Sequence, residues 1–409
     1  MKSMIWSVLL VAALMAACGK TPKAPEGVLF KDDVAFLKAH TRSVILTGQD
    51  GLAQVAVNPD LQGRIMTSTT GGPNGFSFGW INREFIASGQ NNLHMNAFGG
   101  EDRFWLGPEG GQFSIFFKKD DPFDLEHWFT PPPINEGAYD IVAQDTDRIH
   151  LRRAMHLVNY SGTGFDLDLN RVVRLLGEDE VRALGLSLPE DLKMVAFASE
   201  NAITNTGTES WTKETGLLSV WILGMFNPSP ETTIVIPFRP GPAEELGPAV
   251  NDTYFGKVPA DRLIVKDGLL FFRGDGRYRS KIGISPRRVK PFAGSYDAAK
   301  KVLTIVHLTV PEGATDYVSS MWEIQENPFG GDVVNSYNDG PPAAGAKPLG
   351  PFYELESSSP AAALNPGETL THVHSTIHFQ GGDVAALDEI ARKIFGVSIE
   401  EIASAFKKD

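Results

Sequence analysis

The chain has one cysteine, Cys18, in 409 residues. A lone thiol forms no internal disulfide and no multi-thiolate zinc site, and once Cys18 is modified no cysteine nucleophile remains. Cationic residues are also few. Lys and Arg number 37 against 50 Asp and Glu, for a formal net charge of −13. Such a surface repels phosphate backbones, which argues against broad nucleic-acid binding. The apolar run Met4–Leu14 is too short to span a bilayer, which takes about 20 residues. No Gly-rich phosphate loop leads from a strand into a helix, and there is no internal repeat or low-complexity linker. A hydrophobic share of 42% with 21% charged residues excludes disorder and coiled coil as the main architecture.

Glycine (41) and proline (27) are abundant, beyond their usual combined share of about 12%. That composition favours short strands joined by tight turns. Phe30, Val34 and Leu37 fall at helical spacing, and then the period changes to two. Ser43–Thr47, Ala53–Val57 and Arg64–Thr70 open a series of predicted strands. It runs through Phe113–Phe117, Ile149–Leu157, Phe165–Leu175, Lys193–Thr204, Leu218–Met225, Leu269–Arg273, Arg277–Ile284 and Val302–Val310, and closes with Phe352–Ser357 and Thr369–Phe379. Asp383 and the capping box Ser398–Glu401 predict two short C-terminal helices.

Lys2, the apolar run and Met15-Ala16-Ala17-Cys18 resemble a bacterial lipoprotein signal with its lipobox. Residues 1–17 are then a signal peptide, 18–29 a lipidated tether on Cys18, and 30–409 a single β domain. Gly19-Lys20 lacks the acidic residue of an inner-membrane retention signal, so an outer-membrane lipoprotein facing the periplasm is expected. Its acyl chains would anchor it without a spanning helix.

Ala53–Ile65, Ala202–Gly207, Tyr353–Glu356 and Leu364–Glu368 together resemble galactose mutarotase-like (aldose 1-epimerase) proteins, in order and spacing, over most of the mature chain. The resemblance implies an all-β galactose mutarotase-like β-supersandwich with short N- and C-terminal helices and a sugar site on one sheet. It also implies a catalytic carboxylate at Glu356, which removes the anomeric hydroxyl proton while an acid protonates the ring oxygen. The family's two histidine motifs are replaced here by Phe98-Gly99-Gly100 and Leu223-Gly224-Met225-Phe226-Asn227. A divergent branch is therefore expected, with its acid drawn from Glu101, Glu354 or His94.

Glu354 and Glu356 lie two apart on a strand and share a face. Like charges that close can raise one pKa and divide the roles of acid and base. The segment 94–111 mixes carboxylates, an Arg, aromatics and glycines, the set that a sugar ring and its hydroxyls call for. It contributes His94, Asn96, Arg103, Trp105 and Glu109 as substrate-binding candidates. The segment 321–340 adds Trp322, Asn335, Asn338 and Asp339. Its oxygen-rich side chains could also ligate calcium, although the spacing matches no EF-hand; no other cofactor is implied. Arg277, Arg279 and Lys281 share a predicted strand face and form a basic stripe suited to a carboxylate or phosphate. His372, His374 and His378 share a strand face that reads as outward, with Val373, Ile377 and Phe379 toward the core. Gly75-Phe76-Ser77-Phe78-Gly79 has the letters of a nucleophile elbow without its strand and helix.

The expected function is a carbohydrate-active lipoprotein with epimerase-like acid–base chemistry on a saccharide and Glu356 as base. Two other classes stay open. One is a non-catalytic glycan-binding lipoprotein; the other is a lyase or glycoside hydrolase acting on an anionic saccharide.

Overall fold

A computed structural model describes residues 27–407, Ala344 apart. The segment expected to be a signal peptide, Cys18 and most of the expected tether lie outside the described residues. The chain is all-β with short helices at both ends, as the sequence implied. Its strands are β1 (Val44–Thr47), β2 (Gln54–Asn58), β3 (Arg64–Thr69), β4 (Arg103–Gly107), β5 (Asp140–Gln144), β6 (Arg148–Val158), β7 (Gly164–Leu175), β8 (Lys193–Asn205) and β9 (Ser219–Phe226). They continue with β10 (Thr232–Pro237), β11 (Leu263–Lys266), β12 (Leu269–Arg273), β13 (Ser280–Ile284), β14 (Phe292–Asp297), β15 (Val302–Leu308), β16 (Val334–Asn338), β17 (Tyr353–Ser358) and β18 (Thr369–Gln380).

Three antiparallel sheets result. Strands β1-β2-β3 form a small one, β11-β12-β10-β14-β15-β18-β8-β7-β6-β5 a ten-stranded one, and β13-β16-β17-β9-β4 a five-stranded one. The alternation of each strand decides the layering. Ile282, Ile284, Tyr353, Leu355 and Phe226 of the five-stranded sheet share a core with Ile234, Ile236, Phe272, Val306 and Leu308 of the ten-stranded sheet. Part of the other face of the large sheet, including Ile305, Ile377 and Phe379, is covered by the helices Val384–Phe395 and Ile399–Ser404 through Leu387, Ile390, Ile394 and Ile402. Both caps form as their sequences predict: the Asp383 side chain accepts from Ala385 N, and Ser398 and Glu401 close a capping box.

That helical cover corrects the expectation for the last strand. Ile377 and Phe379 do pack into a core, whereas Val373 is half-buried, and the histidines do not face solvent. His372, His374 and His378 are buried on the sandwich side. The Ser357 hydroxyl bonds both His372 Nε2 and His374 Nδ1 at 2.8 Å. Burial pushes these two imidazoles down, to about 3 for His372 and about 4 for His374, so both are neutral at ordinary pH. Phe113–Phe117 is also not a strand. It is a loop that buries Ile115, Phe116 and Phe117. Ser77, of the elbow-like segment, is a buried structural group bonded to Asp33 and Thr67.

A buried ionic layer ties the sheets together. Arg171 on β7 donates to Asp102 Oδ1 (2.6 Å), to Asn201 and to the Gly63 carbonyl, and Ser199 donates to Asp102 Oδ2 (2.6 Å). Neither Arg171 nor Asp102 is exposed to solvent. Removing one partner of such a pair strands the other charge. Arg171→Met is therefore expected to destabilise the protein by about 3–5 kcal/mol, read as a lower urea midpoint. A loss below about 1 kcal/mol would show that the layer is not what joins the sheets.

Candidate functional site

The five-stranded sheet has a second face, and its residues follow from register. Glu356 lies opposite Asn335 on β16 and Leu223 on β9, while Glu354 lies opposite Tyr337 and Met225. Lys281 lies opposite Tyr337, and Arg103 opposite Leu223. Alternation then projects Lys281, Asn335, Tyr337, Glu354, Glu356, Trp221, Arg103 and Trp105 to one side. The intervening residues are the apolar core described above.

The charges on this face are paired. Lys281 Nζ and Trp221 Nε1 each donate to Glu356 Oε2 at 2.9 Å. Glu356 is 0% exposed, and its Oε1 has no partner among the described residues. Burial would lower the Lys281 pKa, but the Glu356 and Glu109 carboxylates outweigh it and hold the ammonium above its usual value. Arg103 lies 4.0 Å over the Trp105 ring and donates to Glu354 Oε1 at 3.4 Å. Desolvation raises the Glu354 pKa to about 8, with the Arg103 charge opposing and Glu356 adding to the shift. The two strand-mates thus sit in different environments. One carboxylate bears on a lysine, and the other is protonated at neutral pH.

Above the face lies a cleft of ≈ 270 Å³ lined by His94, Glu109, Trp128, Arg279, Trp322 and Asp339 among others. A second hollow of ≈ 150 Å³ shares Glu109, Arg279 and Trp322 with it and reaches Tyr254 and Lys281. Glu109 is half-buried between them. Burial raises its pKa, Lys281 opposes the rise and Glu356 reinforces it. Trp128 and Trp322 stack on each other with centroids 6.1 Å apart. Asp339 accepts from Tyr337 Oη and from Gly350 N. Behind Lys281, Tyr254 Oη donates to Asp332 Oδ2 at 2.6 Å and accepts from Asn335 Nδ2.

Most sequence candidates therefore meet here: Glu356, Glu354, Arg103 and Asn335 on the sheet, and His94, Glu109, Arg279, Lys281, Trp322 and Asp339 along the cleft. Four lie apart from these. Glu101 is buried elsewhere, where its carboxylate binds His378 Nε2 at 2.8 Å and the Ser68 hydroxyl and amide. Asn96 is locked into its own loop through Asn91, Asn92 and Asn135. Asn338 holds the turn near Asp275 and Tyr278. Trp105 is 2% exposed, packed between Trp221 and Phe116, so it supports the face without offering a stacking surface. The sequence reading missed Trp128, Trp221, Tyr254, Phe255 and Tyr337. Trp221 could have been found from parity, since it shares its strand face with Leu223 and Met225; Trp128 and Tyr254 lie in segments with no periodic signal. Met225, in the segment that replaces a family histidine motif, is an apolar neighbour of Glu354 packed with Trp80 and Phe352. Among the described residues no cluster of three or more His, Cys, Asp or Glu is arranged to hold a metal.

A family model described as a family of unknown function (DUF6786) matches residues 28–406. No curated protein sequence matches the chain. Among solved structures, the Slr1438 protein from Synechocystis sp. PCC 6803 is similar at 13% identity and a TM-score of 0.52, covering 83% of this chain and 96% of that one. The two share a fold. A putative aldose 1-epimerase from Escherichia coli K12 (13% identity, TM-score 0.47) and a galactose mutarotase-like protein from Lactobacillus casei ATCC 334 (9% identity, TM-score 0.48) each cover 83% of this chain, and are themselves covered over 99% and 100%.

The environment of Glu354 sets a pH dependence. A carboxyl whose folded pKa exceeds its unfolded value near 4.5 binds more protons when folded, so its contribution to stability is full below about 4.5 and is lost as pH rises through about 8. Wild-type protein is expected to lose urea resistance between pH 5 and 8, and Glu354→Gln to lose measurably less. Parallel pH profiles for the two would refute the assignment.

Proposed function

We propose, for a chain that belongs to the family of unknown function DUF6786, that the cleft binds a saccharide and performs epimerase-like proton transfer on it. The observation that carries this reading is the convergence of two unlike carboxyl environments beneath a cleft bordered by indoles. Trp322 and Trp128 offer apolar ring faces to sugar C–H groups. Glu356, oriented by Lys281 and Trp221, accepts the anomeric hydroxyl proton at Oε1. Glu109, whose pKa burial raises, lines the cleft and donates to the ring oxygen. Lys281 couples the two, since it bonds Glu356 and lies within electrostatic reach of Glu109. The motif resemblance at Glu356 supports the same role.

The full burial of Glu356 favours a second reading, in which the cleft binds a glycan without turning it over and Glu356 serves only to orient Lys281. One pair of measurements separates the two. Anomeric exchange is followed by NMR across a panel of free sugars, with affinity by calorimetry. Under the first reading Glu356→Gln lowers exchange by about a hundredfold or more while binding persists, and Trp322→Ala weakens binding by about tenfold. Sugar affinity with no exchange in the wild type establishes the second reading. No affinity for any saccharide sinks both.

We also infer that Cys18 carries lipid and holds the protein at the outer membrane, facing the periplasm. The lipobox-like Met15-Ala16-Ala17-Cys18 supports this. Metabolic labelling with a fatty acid should mark the wild type, and Cys18→Ala should be unlabelled and released from the membrane fraction. A labelled Cys18→Ala protein would refute it.

A further inference from the structure

The cations around the cleft are not equivalent. Lys281 is bonded to Glu356, Arg103 to Glu354, and Arg262 to Asp275. Arg279 has neither a hydrogen bond nor an ion pair to a carboxylate among the described residues, yet it is held in place. Its guanidinium carbon lies 3.7 Å from the Phe255 ring centroid, a distance that lays the planar group flat on the aromatic face. Phe255 is itself braced edge-on against Tyr337, at 5.9 Å and 81°. One face of the guanidinium is thus covered, and its N–H edges have no acceptor among the described residues.

The position matters as much as the pairing. Arg279 lines the ≈ 270 Å³ cleft, the ≈ 150 Å³ hollow and a third, more open hollow of ≈ 400 Å³ that also includes Arg277. Lys347 stands on the rim of the first. In a chain of net charge −13, a preorganised, unpaired arginine with two cationic neighbours is a local inversion of field. The acids facing it are Asp339 and Glu109. Asp339 already accepts from Tyr337 and Gly350, and burial biases both carboxyls toward their neutral forms. Neither forms a salt bridge with Arg279.

A planar fork of N–H donors, stacked on one side and open at its edge, matches an oxyanion bidentately. We propose that Arg279 is the recognition group for an oxyanion substituent on the saccharide, so that the cleft selects acidic sugars over their neutral parents. Phe255 preorganises the guanidinium, which lowers the ordering cost of binding. Lys281 cannot do the same, because Glu356 already occupies it. This inference rests on the saccharide reading above and narrows it to a substrate class.

Calorimetry on the full chain tests it with glucuronate, galacturonate, glucose 6-phosphate, and neutral glucose and galactose. In the wild type an acidic sugar should bind at least about tenfold tighter than its neutral parent. Whether the uronates or the phosphate show the larger gain identifies the oxyanion. Arg279→Gln should bring the acidic sugar down to the affinity of its parent. Arg279→Lys, which keeps the charge without the fork, should retain only part of the preference. Equal affinity for acidic and neutral sugars in the wild type overturns the proposal and leaves the saccharide reading standing. So does an unchanged preference in both variants. Binding of none of the five overturns both.

Discussion

A lysine buried against a glutamate organises this molecule. Lys281 and Glu356 come from strands separated by β16, and neither charge is tolerable alone at such depth. The cost of taking an unpaired ion out of water amounts to several kcal/mol. Their pairing therefore depends on the register of β13, β16 and β17. A one-residue slip of any of these strands would turn its site residues toward the apolar core. The Trp221 indole donor adds a constraint from β9 on the other side. One carboxylate oxygen of β17 thus ties down β13 and β9, which lie on either side of it.

The remainder of the fold makes this face available. The ten-stranded sheet uses one side for the sandwich core and covers part of the other with the two C-terminal helices. The five-stranded sheet has no such cover, and loops carrying Trp128, Trp322 and Glu109 roof it instead. Burial then acts differently on each acid. Glu356 has a cation in contact. Glu354 has a longer bond to Arg103 and a like charge beside it, and it holds its proton. Glu109 borders both hollows, where a donor can meet a ligand. The proposed chemistry uses this division, and Arg279 adds a cation without a carboxylate partner among the described residues.

Much of the fold was legible from alternation, because strands such as Phe165–Leu175 and Thr369–Gln380 have at least one face in a continuous apolar core. β4, β5, β10, β14 and β16 were not. Arg103–Gly107 and Val334–Asn338 lie inside the segments 94–111 and 321–340, whose charged, amide and glycine residues mask the alternation. Those residues are in fact buried in the site, where polar groups satisfy one another. The histidines of the last strand misled for a related reason. Both faces of β18 are covered over much of its length, one by the sandwich and one by helices, so polarity did not report the direction of solvent. Glu101 shows the limit of local composition. It stands two residues from Arg103, yet its carboxylate is bound by His378 and Ser68 in a different layer.

The sequence by itself determined the all-β class, the caps of the terminal helices, and that Glu354 and Glu356 share a strand face. Each follows from near-neighbour stereochemistry, since pleat and capping geometry are set within a few residues. Only the tertiary structure decided which carboxyl meets a lysine, which tryptophan borders the cleft and which arginine is left unpaired. Those outcomes depend on partners as far apart in sequence as Arg103 and Glu354. Desolvation and Coulomb energy depend on distance in space, which the order of residues along the chain does not encode.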